Sequence, residues 1–308
     1  MTATEAITMS DGRIRGSAHI RRGAGRARTG PGGLVGRVLV WTLVAFNIFL
    51  VVWMLASSLR QTRDFVQNPL GLPLQPYWEN FAHAWSAGNF GPAFVNSIVV
   101  TSVSSLIVVA VAAPASYVLA RSTRRIASPL TVFFALGLGV PGQVLLIPIY
   151  VSLAGIQNVT GVQLINSTLG LIVVLVGLNI PFTVFLLTGF FSTLPGEVEE
   201  AAALDGAGAV RTFLTIMLPL ARSGLTTAFI LAAIGCWNET LFSLVLLSER
   251  DSRTLPIALI QVMNAASYQG ADWGMIFAGI TILVLPMLLI FMWLGRRIME
   301  GVTAGVGK

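Results

Sequence analysis

The sequence predicts an all-α, polytopic membrane protein with six transmembrane helices and one long cytoplasmic loop that carries a short helix of its own. Three observations predict it. Apolar residues make up 55% of the chain and charged residues only 10%, whereas a soluble domain carries about a quarter charged residues. Six apolar runs are long enough to cross a hydrocarbon core of about 30 Å at about 1.5 Å rise per residue. The arginines crowd the segments that would share one side of the bilayer.

The chain divides into a tail (residues 1–33), a membrane domain (34–297) and a short C-terminal tail (298–308). The first tail is rich in Gly, Arg, Ser and Ala and has no apolar stretch, so it is not a secretory signal peptide and is expected to be disordered. The expected spans are Leu34–Ser57, Ala93–Ala120, Ala127–Leu153, Leu169–Phe191, Gly224–Leu247 and Trp273–Leu294. They are expected to be helices, because backbone groups in hydrocarbon must be bonded within their own segment.

Breakers interrupt several spans: Pro114 in the second, Gly137, Gly139, Pro141, Gly142 and Pro148 in the third, Pro181 in the fourth and Pro286 in the sixth. Two readings of Gly137–Gly142 with Gln143 stay open, a pathway lining and tight helix packing through small residues.

With the N-terminus inside, all but four of the 19 basic residues are cytoplasmic, and Arg60, Arg63, Arg250 and Arg253 alone lie outside. Both termini are then expected to be cytoplasmic. The outside loops run from Ser58 to Pro92, Ala154 to Thr168 and Ser248 to Asp272. The first holds Tyr77, Trp78, Phe81 and Trp85, suited to anchoring at the membrane interface or to touching an external partner. The net charge of +6 is spread as topology requires and does not form a phosphate-tracking groove, so no nucleic-acid partner is expected. A single cysteine, Cys236, and two histidines give no disulfide and no metal spacing.

The longest cytoplasmic interruption separates the fourth and fifth spans. Glu197, Glu199 and Glu200 crowd the first turn of a short helix, where carboxylates complement the dipole. Ala201, Ala202 and Ala203 propagate it, and Gly206 is placed to end it in a left-handed conformation. Asp205 is placed to bond nearby amides or to cap the next segment. A second short helix is expected over Ala209–Met217, with Pro219 marking the return to the membrane.

The spacing of Glu200, Ala201, Ala202, Asp205, Gly206 and Ala207, then Phe213, Ile216, Leu218 and Pro219, resembles the EAA loop of binding-protein-dependent ABC importer permeases. One departure is Ser223, where many relatives carry proline. Asn96-Ser97, Trp237-Asn238-Glu239, Thr254-Leu255-Pro256, Trp273-Gly274 and Gly301–Gly305 resemble the MalG-like carbohydrate permeases from Leu34 onward. The ending Gly305-Val306-Gly307-Lys308 departs from that family's usual pattern.

The resemblance implies a type I ABC importer permease fold whose loop helix sits in a cleft of a separate ATPase. It further implies two ATPase copies holding ATP and Mg, a second permease subunit and an extracytoplasmic binding protein that delivers a sugar or oligosaccharide. It places the chain in the bacterial inner membrane, with alternating access as the mechanism. The chain itself is then a non-catalytic subunit without a cofactor, in keeping with the absence of a G-x-x-x-x-G-K-[ST] loop. An amino acid, polyol or glycerol phosphate remains the alternative cargo.

Glu239 is the one ionisable group clearly within a span, and such a group is costly unless it faces water or a partner. With Trp237 and Asn238 it could stack on a sugar and bond its hydroxyls, or it could bond a neighbouring helix. Asn179 and Gln143 are further pathway candidates. An ion-coupled carrier would favour ionisable groups in several spans, and a membrane enzyme would need a catalytic constellation that the sequence does not offer.

Overall fold

The computed structural model describes residues 31–306 apart from 74, 123, 124, 126 and 269, and among these every regular element is helical. Fourteen α-helices run in chain order: α1 (Pro31–Ser58), α2 (Thr62–Gln67), α3 (Glu79–Gly88), α4 (Phe90–Arg121), α5 (Ala127–Leu138), α6 (Gly142–Thr160), α7 (Thr168–Thr193), α8 (Glu197–Leu204), α9 (Ala209–Thr212), α10 (Leu218–Leu220), α11 (Arg222–Trp237), α12 (Leu241–Leu246), α13 (Leu255–Tyr268) and α14 (Trp273–Val306). A π-helical turn, Phe213–Met217, joins α9 to α10. The expected disordered tail, residues 1–33, lies outside the described residues over 1–30, and its last three residues instead begin α1.

The chain separates into two compact units, residues 1–50 and 51–308. In the first, α1 is an unbroken apolar helix whose one amide, Asn47, donates to Leu43 O at 2.8 Å. In the second, α4 packs along α7 and α11, while α14 packs on α3, α11 and α13. Lipid tails are as apolar as leucine, so close approach drives such packing more than water exclusion does. Gly224 illustrates this: a Cβ there would come within 2.5 Å of the Phe190 ring, so only glycine lets α11 lie this close to α7.

Among the described residues, five helices are long and apolar enough to cross a membrane singly, and a sixth passes only as Ala209–Leu220 with Arg222–Trp237, bent by 76°. Two expected spans are therefore corrected. The third is cut between α5 and α6. Pro141 has no N–H and biases Val140 away from helical angles, and Gly139 N–H turns back to Leu136 O at 3.0 Å. The helix then runs on to Thr160, which shortens the second outside loop. The fifth is cut at Asn238–Thr240, where polar side chains bond the local backbone: Asn238 Nδ2 donates to Ile234 O (2.8 Å) and Thr240 Oγ1 to Asn238 O (3.1 Å).

The segments read as the first and third outside loops pack at the N-terminal end of α4. Arg60 is buried, and its guanidinium donates to Asp64 O (2.7 Å), Asn68 O (2.5 Å) and Pro69 O (3.0 Å) around the end of α2. Asn96 Nδ2 donates to Asp251 O (2.7 Å) and Arg253 O (3.0 Å), and Ser97 Oγ accepts from Leu255 N–H (2.8 Å) at the start of α13. Asn166, left-handed at φ 58°, accepts at Oδ1 from Ser248 and Glu249 N–H, each at 2.9 Å. Gly274 has a steric reason: a Cβ there would lie 2.3 Å from Arg60 O.

Candidate functional site: the loop helix and the cavity at the helix breaks

At the other end of α4 stands α8. Its first turn has no side-chain cap; Glu199 and Glu200 N–H turn to Gly196 O at 2.9 and 3.1 Å, and three carboxylates complement the dipole. Its C-terminus forms a Schellman motif. Ala207 N–H bonds Ala202 O (2.9 Å), Gly206 N–H bonds Ala203 O (3.0 Å), and Gly206 takes φ +76°. Asp205 occupies the C-cap but does not cap the next helix; Gly208 is the N-cap of α9, without a side-chain bond.

The helix presents two faces. Ala202 is buried, whereas Glu197, Glu200, Ala201 and Ala203 are exposed and Leu204 is 90% exposed. Glu199 turns inward: Arg121 Nε donates to its Oε1 at 2.6 Å and Tyr117 Oη to its Oε2 at 3.1 Å. Arg121 also donates to Leu194 O, at the C-cap of α7, at 2.9 Å. Phe213 stacks beside Tyr117 and Phe191, with ring centroids 5.1 and 6.5 Å away.

The π turn follows from Pro219. Its ring crowds the carbonyl four residues back, at Thr215, and the turn before it widens, with Leu218 N–H reaching back five residues to Phe213 O. Pro219 itself is exposed, and Ala221 is buried at the bend.

A cavity of about 540 Å³ opens where the two broken spans face each other. Gly137, Gly142 and Gln143 line it from the α5–α6 break, Gly177 and Pro181 from α7, and Glu239 and Phe242 from the α11–α12 break. Non-helical backbone at membrane depth is tolerated where it lines such a space or is covered by protein. Glu239 Oε1 accepts from Phe242 N–H at 2.8 Å, capping α12, and Oε2 has no hydrogen bond among the described residues.

The structure brings Gln143 and Glu239 together and separates the other pathway candidates. Trp237 is buried away from this cavity, its indole donating to Leu283 O (3.2 Å) and its ring edge-on to Phe94. Asn238 is exposed and lines a separate groove with Trp237 and Met287. Asn179 lies between α7 and α11, donating to Leu175 O (2.8 Å) and towards Cys236 Sγ (3.8 Å). The expected Trp-Asn-Glu surface is thus dispersed, because α11 ends at Trp237 and consecutive residues diverge beyond it. The sequence reading missed Arg121 and Tyr117; their i, i+4 spacing at a span's end was the available signal.

Helices able to cross a membrane, with a loop helix tied to the ends of two of them, give the described residues the architecture of a multi-pass membrane protein. The family model "Binding-protein-dependent transport system inner membrane component" matches residues 112–303. The chain belongs to that family, the membrane-embedded, non-catalytic permeases of ABC transporters. It is 33% identical over 273 residues to the diacetylchitobiose uptake system permease protein NgcG of Streptomyces coelicolor, covering 87% of this chain and 86% of that one. It is 31% identical to the diacetylchitobiose uptake system permease protein DasC of the same organism, covering 85% and 92%. A solved bacterial ABC transporter involved in import of the acidic polysaccharide alginate shares the fold, with TM-score 0.72 and 18% identity over 86% of this chain and 95% of that one.

Proposed function

We propose that this chain is the membrane-spanning subunit of an importer that moves a sugar or oligosaccharide by alternating access, powered by a separate ATPase. The observation that carries the reading is α8: a short, rigid helix whose Glu200, Ala201, Ala203 and Leu204 are exposed while Glu199 ties it to α4. Small exposed side chains allow a partner's backbone to approach closely. In this reading Glu200, Ala201, Ala202, Asp205, Gly206 and Ala207 form the docking helix, and Phe213 and Pro219 connect it to the membrane. Two ATPase copies hold ATP and Mg, a second permease completes the pathway, and an extracytoplasmic binding protein delivers the cargo at the other end. Both termini lie in the cytoplasm of a bacterium, as the arginine bias favours.

The saccharide class is supported by the similarity to the diacetylchitobiose uptake permeases NgcG and DasC. The cavity supports a contact within this subunit, since Gln143 and the Oε2 of Glu239 supply donors and an acceptor for hydroxyls. The test is reconstitution of the copurified complex with its binding protein and a panel of saccharides, amino acids, polyols and glycerol phosphate. Stimulated ATP hydrolysis by a saccharide is expected, and stimulation by another class alone would overturn the substrate assignment. Glu239→Ala is expected to weaken saccharide stimulation about tenfold or more, because it removes a charged hydrogen-bonding partner worth about 1.5–3 kcal/mol.

A further inference from the structure

We infer that Arg121, with Glu199 and Tyr117, is a latch that passes the movement of α8 to α4 and α7 together. The inference rests on the reading of α8 as the ATPase-docking helix and adds the route by which its displacement enters the membrane. Among the described residues, the side-chain hydrogen bonds that join α8 to a membrane helix are those of Glu199 to Arg121 and Tyr117. Both partners lie in the last turns of α4, four residues apart, so they share one face of that helix.

Arg121 makes a second attachment, to Leu194 O at the end of α7. One guanidinium therefore holds the ends of two membrane helices and the start of the loop helix. The planar fork of arginine suits this task, because it donates in two directions with fixed geometry. Its side chain is 22% exposed and that of Glu199 is 21% exposed, which removes much of the screening that weakens surface pairs.

Of the two helices gripped by the latch, α7 leads to the cavity. α7 carries Gly177 and Pro181 into its wall, and Pro181 removes an N–H from the helix at that point. α4 packs along α7 for much of its length. Beside the latch, Tyr117, Phe191 and Phe213 form a cluster of edge-on and tilted rings, so the π turn after α8 packs against the same ends of α4 and α7. A shift of α8 cannot leave α4 and α7 in place without breaking a half-buried ion pair. Arg121 and Glu199 are positioning residues, remote from the cargo and from ATP.

The experiment measures cargo transported per ATP hydrolysed in proteoliposomes holding the full complex. The variants are Arg121→Glu, Glu199→Arg and the double exchange, with Arg121→Lys as a conservative variant and Leu204→Asp as the control for the docking reading. Each single reversal is expected to lower the ratio by about tenfold, within the range typical of coupling between sites. The double exchange should recover part of that loss, which assigns it to the pair, and a merely structural role would lower assembly without changing the ratio in assembled complexes. Arg121→Lys should fall between, because an ammonium cannot span Glu199 and Leu194 O as a fork does.

Size-exclusion of each complex reports assembly, and any variant that fails to assemble is replaced by Arg121→Lys in the comparison. An unchanged ratio in the assembled variants, or no recovery in the double exchange, overturns the latch while Leu204→Asp still releases the ATPase. If Leu204→Asp leaves ATPase association intact, the docking reading fails instead, and the latch fails with it.

Discussion

At residue scale, two glycines serve opposite needs, and substitution separates them. A Cβ on Gly170 would lie 1.8 Å from Leu164 O, inside any tolerated contact, although α7 is otherwise regular there. A Cβ on Gly206 meets nothing within 4 Å, but its φ of +76° is strained for any L side chain. Gly170→Ala is therefore expected to cost about 3 kcal/mol or more, as overpacking against backbone does at its upper end. Gly206→Ala is expected to cost about 1–2 kcal/mol through the left-handed conformation alone. Thermal unfolding of the purified chain in detergent measures both, and a Gly170→Ala chain as stable as the parent would refute the close approach. The left-handed stop at Gly206 was readable from its place after an alanine run. The tightness at Gly170 was not, because Leu164 O reaches it only through a turn built on Gln157, whose Oε1 accepts from Leu164 and Ile165 N–H at 2.9 and 2.8 Å.

At the scale of elements, the loop helix was legible and the breaks in the spans were not. α8 announces itself locally, through its acidic first turn, its alanines and its glycine stop. A hydropathy window, by contrast, averages over the three residues between α5 and α6 and over the three between α11 and α12. Pro141 and Glu239 were noticed, but what each does depends on a partner span that the sequence does not place. α13 lies within the segment expected as the third outside loop, and its 14 residues are too short to cross a bilayer. It is a helix packed into the fold, with Leu255, Ala258, Val262 and Ala266 all covered. Its start depends on Ser97, which is 2% exposed and accepts Leu255 N–H at 2.8 Å. Ser97→Ala is expected to cost about 1–2 kcal/mol by orphaning that amide. It should also open the segment around Thr254 to proteases before the membrane helices unfold. Cleavage no faster than in the parent would show that α13 is held by its apolar face alone.

At the scale of the molecule, two exposed leucines near opposite ends of the fold test the orientation. Leu72 is 73% exposed between α2 and α3, and Leu204 is 90% exposed on α8. The native thiol, Cys236, is buried and serves as a silent background. A membrane-impermeant maleimide is expected to label Leu72→Cys in right-side-out vesicles and Leu204→Cys only in inverted ones. The reverse pattern would place α8 outside and sink the docking reading. The break between α5 and α6 also bears on how the chain reaches its membrane. Twelve helical residues in α5 extend about 18 Å, short of a hydrocarbon core of about 30 Å. α6, at mean hydropathy 1.4, is the least apolar of the five single-helix candidates among the described residues. α5 is thus too short to cross alone and α6 is the weakest single span, so stable insertion of this region is expected to depend on α7, whose Gly177 and Pro181 line the cavity at the break.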